Sequence, residues 1–241
     1  MTRKIEGRNA VYEFLKTDKM VYEIFISDRI KKESISDILK RANDRKLKIS
    51  FIDKEGINKV ATIENHQGMI ALVEDYNYSN FKEKINSIKG NGFVLICDNI
   101  QDPHNLGAIL RTADATGVDL VVIPKNRSVE ITPVVTKVSV GATEYVPVCK
   151  VTNISRAIDE LKEKGYWITA TDMDGEKAYF DSDLRGNVAI VVGSEGSGIR
   201  RLVKEKCDFI VNIPMKGRIE SLNASVAASI LMYEVVRQNN G

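Results

Sequence analysis

Long runs of apolar residues constrain the fold of this 241-residue chain more than any other feature of its sequence. The clearest run is Phe93–Asp98, in which apolar residues follow one another without the alternation of a half-exposed strand. A strand that is covered on both faces, as in a parallel sheet, has this pattern. Similar runs predict four further strands, at residues 118–123, 167–171, 188–192 and 209–213.

Helical patterns alternate with these strands. They lie at residues 106–116, 132–141, 154–164 and 199–205, and a long helix at about 221–238 follows the last strand. Alternation at this spacing predicts an α/β domain with a doubly wound parallel sheet. Ligands of such domains bind beyond the carboxyl ends of the strands, so functional residues are expected there.

The first 76 residues have the pattern of a smaller α/β layer domain. Short strands are predicted at Val21–Ser27, 48–52 and Met69–Glu74, and helices near 9–16, 34–43 and Lys54–Val60. Ser34 and Asp53 are expected to cap two of these helices. A polar stretch that ends in Lys-Gly-Asn-Gly comes next. We therefore expect one domain at 1–76, a linker at 77–91 and a second domain at 92–241.

The composition argues against several classes of protein. With 43% hydrophobic residues and 35 Lys+Arg against 33 Asp+Glu, extensive disorder is not expected. No apolar run reaches the ~18 residues of a membrane span, and the polar N-terminus lacks a signal-peptide core. The cysteines, Cys97, Cys149 and Cys207, are widely spaced and lack metal-ligand partners, which is typical of reduced thiols. We expect a cytoplasmic protein without a metal site or a membrane anchor.

The small net charge of +2 conceals an uneven distribution. Residues 1–48 contain 13 Lys+Arg and 8 Asp+Glu, an excess of +5, whereas residues 81–241 contain 20 of each. The basic excess is concentrated around Lys40-Arg41 and Arg45–Lys48. Such a surface attracts the phosphate backbone of nucleic acids, but an ordinary solvated helix face has the same composition.

Three motifs follow predicted strands. In the first, a polar loop follows Asp98, and Asn105 is expected to be the N-cap of the next helix. Gly107 and Arg111 are four residues apart and therefore lie on one helical face. The guanidinium of Arg111 suits phosphate, although a capped helix with a surface arginine explains this motif equally well.

The second motif has three glycines in six residues, Gly193, Gly196 and Gly198. Glycines permit tight turns and expose backbone N–H groups to a ligand. Their order differs from the G-x-G-x-x-G of dinucleotide-binding domains, and no P-loop Lys follows. Glu195 lies between them and would repel phosphate, which favours a ligand that is cationic or donates hydrogen bonds. The alternative is a flexible turn.

The third motif spans residues 213–225 and combines a basic, glycine-containing loop with Ser221 and Asn223. Serine and asparagine prefer caps and turns to helix interiors. A stripe of mostly small residues continues along the following helix: Ala224, Ala228, Leu231 and Val235. A capping segment with a core helix accounts for the stripe, but it leaves Arg218, Glu220 and Asn223 unexplained.

Together the motifs resemble the SpoU (TrmH-type) family of RNA ribose 2′-O-methyltransferases in the SPOUT superfamily. The matching segments are N-L-G-A-I-L-R at 105–111, V-G-S-E-G-S-G at 192–198 and I-P-M-K-G-R-I-E-S-L-N-A-S-V-A at 213–227. Residues 6–11 and His66-Gln67-Gly68 are similar to the family's ribosomal-protein-like substrate-binding domain. The resemblance covers essentially the whole chain and is greatest to the RlmB type, which methylates a guanosine of 23S rRNA.

The resemblance implies a cofactor, a fold and an assembly. The cofactor is S-adenosyl-L-methionine, bound in a trefoil knot that the C-terminal third forms. The family's cofactor contacts map onto Gly193, Ile213 and Leu222. The family also functions as a homodimer, in which an arginine of one subunit approaches the site of the other. The stripe of small residues is compatible with that dimer and equally with packing inside one chain.

The implied reaction transfers a methyl group from the sulfonium to a ribose 2′-oxygen. Because a ribose hydroxyl is a poor nucleophile, the site must align it and assist the loss of its proton. The candidate catalytic residues are Asn105, Arg111, Glu195, Ser221 and Asn223. The family's counterpart of Arg111 has been assigned as the base, but a guanidinium stays protonated, so stabilising an alkoxide or a phosphate suits it better.

The substrate and two other functions stay open at this point. Large-subunit rRNA is the expected RNA partner, tRNA is an alternative within the same class, and DNA is not expected. A non-catalytic RNA-binding protein with this fold and a generic nucleotide-binding α/β enzyme are the rival classes. The candidate catalytic residues argue against the first, and the missing phosphate-binding fingerprints argue against the second.

Overall fold

The computed structural model describes residues 2–194, 196–218 and 220–239. The strands are β1 (Thr2–Glu6), β2 (Val21–Ser27), β3 (Ile49–Ile52), β4 (Met69–Glu74), β5 (Phe93–Asp98), β6 (Leu120–Pro124), β7 (Val148–Val151), β8 (Trp167–Thr171), β9 (Lys177–Ala178), β10 (Val188–Gly193) and β11 (Phe209–Asn212). The α-helices are α1 (Arg8–Leu15), α2 (Ser36–Asp44), α3 (Lys54–Val60), α4 (Phe81–Ser87), α5 (Pro103–Ala115), α6 (Pro133–Val138), α7 (Ile154–Glu163), α8 (Arg201–Lys204) and α9 (Ala224–Asn239).

The chain forms two compact units. Unit 1 comprises Met1–Asn77 together with Glu130–Tyr145, and unit 2 comprises Tyr78–Val129 together with Val146–Gly241. Residues 130–145, which the sequence analysis assigned to the segment 92–241, thus pack with the N-terminal residues. Helix α4 lies in the predicted linker and belongs to unit 2. Within the described residues, no helix is long and apolar enough to cross a membrane.

Unit 1 contains a four-stranded mixed sheet in the order β1-β4-β2-β3. β2 and β3 are parallel, and the other two pairs are antiparallel. Residues of α1 and α2 cover a buried cluster on this sheet that includes Phe14, Ile24 and Ile38. Strand β1 was not predicted, because an edge strand of the sequence Thr-Arg-Lys-Ile-Glu is short and charged and has no apolar run.

One of the two predicted helix caps in unit 1 is confirmed. Asp53 caps α3, and its Oδ1 accepts a hydrogen bond of 2.7 Å from the backbone N–H of Gly56. The prediction for Ser34 is wrong. Ser34 lies in a 3₁₀ turn (Lys32–Ile35), where its hydroxyl donates to the carbonyl of Lys31, and α2 begins afterwards. The turn satisfies the hydroxyl locally, so the serine is not available as a cap.

Part of the predicted basic surface stabilises unit 1 itself. The guanidinium of Arg45 donates to the carbonyls of Leu15, Thr17 and Lys19, beyond the carboxyl end of α1. Cations favour that end because the helix dipole is negative there. Lys48 forms an ion pair of 3.0 Å with Glu23. The basic residues of 1–48 are therefore not all available to a partner.

Unit 2 contains a seven-stranded parallel sheet in the order β7-β6-β5-β10-β8-β11-β9. This order confirms the predicted doubly wound sheet, whose direction of winding changes between β5 and β10. β10 lies between β5 and β8 and aligns Gly193 with Asp98. The two strands that were not predicted, β7 and β9, form the edges of the sheet and are too short for a clear apolar pattern.

The stripe of small residues on α9 packs inside unit 2. Ala224, Ala228, Leu231 and Val235 are buried, and α9 contacts α5 and β10. A hydrogen bond of 3.0 Å joins the hydroxyls of Thr112 on α5 and Ser229 on α9. Small residues permit this close approach of two helices. Packing within the chain therefore accounts for the stripe.

Candidate active site

A cavity of about 320 Å³ lies in unit 2 beyond the carboxyl ends of β8, β10 and β11. The described residues that line it are Thr171, Asp172, Met173, Val192, Gly193, Ser194, Gly196, Ser197, Gly198, Ile213, Met215, Glu220, Ser221, Leu222, Ala224 and Ala227. All three strand ends belong to the half of the sheet on one side of the β5/β10 boundary. This is the place where a doubly wound sheet binds its ligands.

Four of the residues that the sequence analysis selected line this cavity. They are Gly193, Ile213, Ser221 and Leu222. These four residues come from three segments, namely the end of β10, the end of β11 and the approach to α9. The parallel sheet brings them together because strands that run in one direction have their carboxyl ends at one edge.

Asn105 and Asn223 are joined by a hydrogen bond next to the cavity. The side-chain amide of Asn223 donates to the side-chain oxygen of Asn105 over 2.9 Å. Asn223 lies between Leu222 and Ala224, both of which line the cavity. Its Oδ1 also accepts from the backbone N–H and the hydroxyl of Ser225, at the start of α9.

The predicted N-cap role of Asn105 is wrong. α5 begins at Pro103, and Asp102 is its cap, with an Oδ1 that accepts from the backbone N–H of His104. Proline is favoured in the first turn of a helix because it has no N–H to satisfy. Asn105 is therefore inside the helix and buried.

Two candidate catalytic residues, Arg111 and Glu195, are absent from the described lining of the cavity for different reasons. Arg111 is exposed on α5, does not belong to the described lining, and has no side-chain hydrogen bond or ion pair among the described residues. Glu195 lies outside the described residues.

Two glycines of the loop after β10 are required by its conformation. The backbones of Ser194 and Gly198 pair with each other through N–H···O bonds of 2.9 and 3.2 Å. A Cβ at residue 193 would overlap the backbone of Gly198, and Gly198 itself has a φ of +60°. A side chain at either position would open this turn.

Two ion pairs connect residues that follow this loop to the strands on either side of β10. Arg200 donates from Nε to Oδ1 of Asp98 over 2.8 Å, and its backbone N–H donates to Oδ2 over 2.9 Å. Asp98 is the last residue of β5, and its side chain is fully buried. A further hydrogen bond of 3.2 Å joins Asn99 to Ser197. The loop is thereby held to the end of β5.

The second ion pair lies on the opposite side of β10. Lys204 of α8 is 2.9 Å from Oδ2 of Asp172, which directly follows β8. The other oxygen, Oδ1, accepts from the backbone N–H of Asp174 over 3.1 Å. Burial raises the pKa of Asp172, but the hydrogen bonds from Lys204 and from backbone N–H groups lower it by a larger amount. The pKa of Asp172 therefore lies below its ordinary value.

The charge of the cavity restricts its ligand. The described lining contains two carboxylates, Asp172 and Glu220, and no lysine or arginine. A phosphorylated nucleotide would meet the carboxylates of Glu220 and of the ion-paired Asp172 and no cation in the described lining, whereas a cation or a donor of hydrogen bonds would be stabilised. The sequence had suggested a negative charge near the ligand from Glu195, which lies outside the described residues; within the described lining, Asp172 and Glu220 provide such a charge.

Four residues of these ion pairs were not predicted: Asp98 as a loop anchor, Asp172, Arg200 and Lys204. Asp172 could have been found, because it follows an apolar strand in the same way as Asp98 does. The pairing of Arg200 and Lys204 with these carboxylates could not, since it depends on which strands flank β10. Within the described residues, no group of His, Cys, Asp and Glu could hold a metal ion.

Family models match both parts of the chain. The model described as the SpoU rRNA Methylase family matches residues 92–233, and the model described as RNA 2′-O ribose methyltransferase substrate binding matches residues 4–79. A relative from Staphylococcus haemolyticus, assigned to the TrmH family of tRNA/rRNA methyltransferases, is 48% identical over 98% of this chain and 96% of its own length. A relative from Staphylococcus aureus has the same assignment, identity and coverage.

Solved structures share the fold. A crystal structure of an RNA 2′-O ribose methyltransferase is 27% identical and has a TM-score of 0.82 over 98% of this chain and 88% of its own. The SpoU methyltransferase AviRb from Streptomyces viridochromogenes, solved in complex with the cofactor AdoMet, has a TM-score of 0.83 and 21% identity, with 98% of this chain and 89% of its own covered.

Proposed function

This chain belongs to the SpoU rRNA methylase family of RNA 2′-O-ribose methyltransferases, and we propose that it methylates a guanosine of large-subunit (23S) rRNA with S-adenosyl-L-methionine as methyl donor. The observation that carries the proposal is the cavity beyond β8, β10 and β11, which is lined by the family's motif residues. Mapping of 2′-O-methyl groups in RNA from a deletion strain tests it. Loss of one methylated guanosine in 23S rRNA is the expected result.

A tRNA substrate is the second candidate. The relatives from Staphylococcus are assigned to tRNA/rRNA methyltransferases, and a tRNA-modifying TrmH/SpoU enzyme of A. aeolicus is 31% identical over 66% of this chain and 81% of its own, with a TM-score of 0.56. The same mapping separates the two substrates. A lost methyl group in tRNA, with an unchanged 23S rRNA, would replace the rRNA proposal.

The cavity fits the proposed cofactor. S-adenosyl-L-methionine carries a sulfonium, an ammonium and one carboxylate and is therefore a net cation, which the carboxylates in the described lining favour. We propose that Gly193, Ile213 and Leu222 hold it, chiefly through main-chain groups and apolar contact. When bound, the cofactor supplies the electrophilic methyl group. The trefoil knot around this site stays a prediction of the family resemblance.

We propose that the remaining candidate residues prepare the ribose for attack. The hydrogen bond between Asn223 and Asn105 fixes the amide of Asn223, and Ser221 in the cavity wall orients the 2′-hydroxyl or the cofactor. The permanent positive charge of Arg111 stabilises the oxygen as its proton leaves, or holds the adjacent phosphate. Glu195 organises the glycine loop in this proposal.

The exposed position of Arg111 favours a role across a homodimer. Its side chain does not belong to the described lining of the cavity in its own chain. We propose that it reaches the site of a second copy. Arg111→Ala alone is then inactive, and a variant in which the cofactor site is blocked, Gly193→Trp, is also inactive. Mixed dimers of the two regain activity, because one of their two sites is complete.

The outcome of this mixing separates the two positions of the arginine. If Arg111 acts within its own chain, the mixed dimers stay inactive. Each homodimer's mass must be checked first, by light scattering, so that failure to assemble is not read as failure of the arginine.

Unit 1 is proposed to supply RNA affinity. Lys40, Arg41 and Lys46 are exposed, and Arg41 lies over the ring of Tyr12 at 5.4 Å from its centroid. Unit 1 should not be removed by truncation, because Arg3 and Lys19 form ion pairs with the buried Glu144 of the segment 130–145. Charge reversal is the cleaner test. Lys40→Glu with Lys46→Glu should weaken RNA binding, whereas Lys164→Glu on unit 2 should have less effect.

A further inference from the structure

The carboxylate of Asp172 has no assigned function in the proposed reaction. It lines the cavity, its side chain is 20% exposed, and its oxygens already accept from Lys204 and from backbone N–H groups of the following residues. A carboxylate has about four acceptor positions, so these partners do not occupy all of them. Lys204, itself 26% exposed, holds the group in place from one side.

The position of Asp172 in the sheet indicates what it accepts. It follows β8, and β8 is the parallel neighbour of β10, the strand that precedes the glycine loop. In dinucleotide-binding domains, an acidic residue near the end of the strand beside the glycine-rich turn accepts a hydrogen bond from a ribose hydroxyl. In this chain the strand with the acidic residue, β8, precedes the strand with the glycine loop, β10, whereas in dinucleotide-binding domains it follows. In both cases the two strands are neighbours in the sheet.

We propose that Asp172 binds the two vicinal ribose hydroxyls of the adenosyl group, with Lys204 as its positioning residue. This inference rests on the proposed function, since it names the group that a carboxylate of the cavity wall recognises in S-adenosyl-L-methionine. Two hydroxyls on adjacent carbons lie close enough together to donate to one carboxylate, and Lys204 holds this one in place. A cation would also be attracted, so the experiment must distinguish the ribose from the ammonium.

The other carboxylates near the cavity are poorer candidates. Asp98 is fully buried and is paired with Arg200 through both the side chain and the backbone, and it does not belong to the described lining. Glu220 lines the cavity but is exposed to solvent. A hydrogen bond to ribose discriminates best when it is shielded from water and its acceptor is immobile.

Binding of two ligands tests the assignment. S-adenosylhomocysteine has the ribose and the amino-acid tail, and 5′-methylthioadenosine has the ribose but no ammonium. Isothermal titration should show that Asp172→Asn weakens both ligands to the same degree, by roughly 10- to 100-fold. Asp174→Asn, an exposed neighbour outside the described lining, should stay within about twofold of the wild type.

A ligand without one hydroxyl completes the test. Asp172→Asn should reduce the affinity for 2′-deoxy-5′-methylthioadenosine distinctly less than the affinity for 5′-methylthioadenosine. The reason is that the deoxy ligand already lacks one of the hydroxyls that Asp172 is proposed to bind. Equal losses for the two ligands would overturn the ribose assignment. So would a loss seen with S-adenosylhomocysteine alone, since that result would place the ammonium at Asp172.

The failure of this inference differs from the failure of the proposed function. If the wild-type protein does not bind S-adenosylhomocysteine, the proposed cofactor is wrong. If the wild type binds and Asp172→Asn binds equally well, only the role of Asp172 is wrong. Thermal unfolding of each variant identifies loss of fold. Lys204→Arg, which keeps the positive charge beside Asp172, should retain most of the affinity, and a loss as large as that of Asp172→Asn would count against a positioning role.

Discussion

The two ion pairs on either side of β10 have the same chemistry and different surroundings. Asp98 and Arg200 connect the glycine loop to the end of β5, where the carboxylate is fully buried and Arg200 is 44% exposed. Asp172 and Lys204 connect α8 to the end of β8, where the carboxylate forms part of the cavity wall. Both pairs hold the segment after β10, but only one is accessible to a ligand.

This difference separates a structural role from a binding role. A buried carboxylate whose acceptor positions are taken by one arginine contributes to the position of the loop and leaves little for a ligand. A carboxylate that is held by one lysine and by backbone N–H groups, and that lines a cavity, can still accept a hydrogen bond from a ligand. Disturbing the first pair should therefore change the stability of the fold, and disturbing the second should change the affinity for the cofactor.

The largest effect is expected from Arg200→Met. It leaves the buried charge of Asp98 without its counterion, which should lower the free energy of unfolding by about 3 kcal/mol. Urea denaturation followed by circular dichroism measures this. Arg201→Met is the matched control, because Arg201 is exposed and, among the described residues, forms an ion pair with Glu205 alone, so its loss should cost less than about 0.5 kcal/mol. Equal losses of unfolding free energy in the two variants would show that the ion pair between Arg200 and Asp98 stabilises the fold no more than an exposed pair does.

Lys204→Met should change the affinity for the cofactor more than the stability of the fold. Because the pair is partly solvated, its loss should lower the free energy of unfolding by only about 1 kcal/mol. The affinity for S-adenosylhomocysteine should nevertheless fall several-fold, since Asp172 loses the group that orients it. Isothermal titration of Lys204→Met and of Arg200→Met with S-adenosylhomocysteine compares their affinities. A greater loss of stability in Lys204→Met than in Arg200→Met would reverse the assigned roles.

The pH dependence of stability sharpens the role of Asp172. Its pKa is lowered in the folded protein, so its ion pair contributes stability that is present above the ordinary pKa of about 3.9. This contribution disappears as the pH falls through the lower, folded-state pKa. The free energy of unfolding of Asp172→Asn should accordingly lie below that of the wild type at pH 7, and this difference should shrink as the pH falls below about 3.9. A difference that grows on acidification would contradict this.

The smallest effect should be seen in thiol reactivity. Burial raises the pKa of Cys97 to about 12, and the negative charge of the adjacent Asp98 raises it too, while burial also raises the pKa of Cys149 to about 12. Both thiols should react slowly with a disulfide reagent at pH 8, because the thiolate is the nucleophile. Arg200→Met should speed the labelling of Cys97 more than that of Cys149, as measured by mass spectrometry of peptides. Lys204→Met should leave Cys97 unchanged.

Much of the fold could be predicted from the sequence. The runs that became β5, β8 and β10 are apolar because both faces of a parallel strand are covered, so the pattern survives without any knowledge of the neighbours. Edge strands such as β1 and β9 were missed because few of their residues are buried. The N-cap prediction for Asn105 was wrong because Asp102 and Pro103 form a better helix start three residues earlier.

The candidate site was predictable to a smaller extent. Gly193, Ile213 and Leu222 were assigned through the family resemblance and Ser221 through the third motif, and all four line the cavity. Asp172 follows a strand in the same way but lies in no motif. Its pairing with Lys204 depends on the contact between α8 and the end of β8.

By itself, the sequence determined the parallel α/β architecture, the residues that follow its strands and membership of an RNA methyltransferase family, because burial of apolar strands and short motifs are local properties. Only the tertiary structure decided that β10 lies between β5 and β8, that residues 130–145 belong to unit 1, and which carboxylate is sealed and which lines a cavity. Those properties depend on strand order and on burial by distant residues, and the linear pattern of the chain does not contain either.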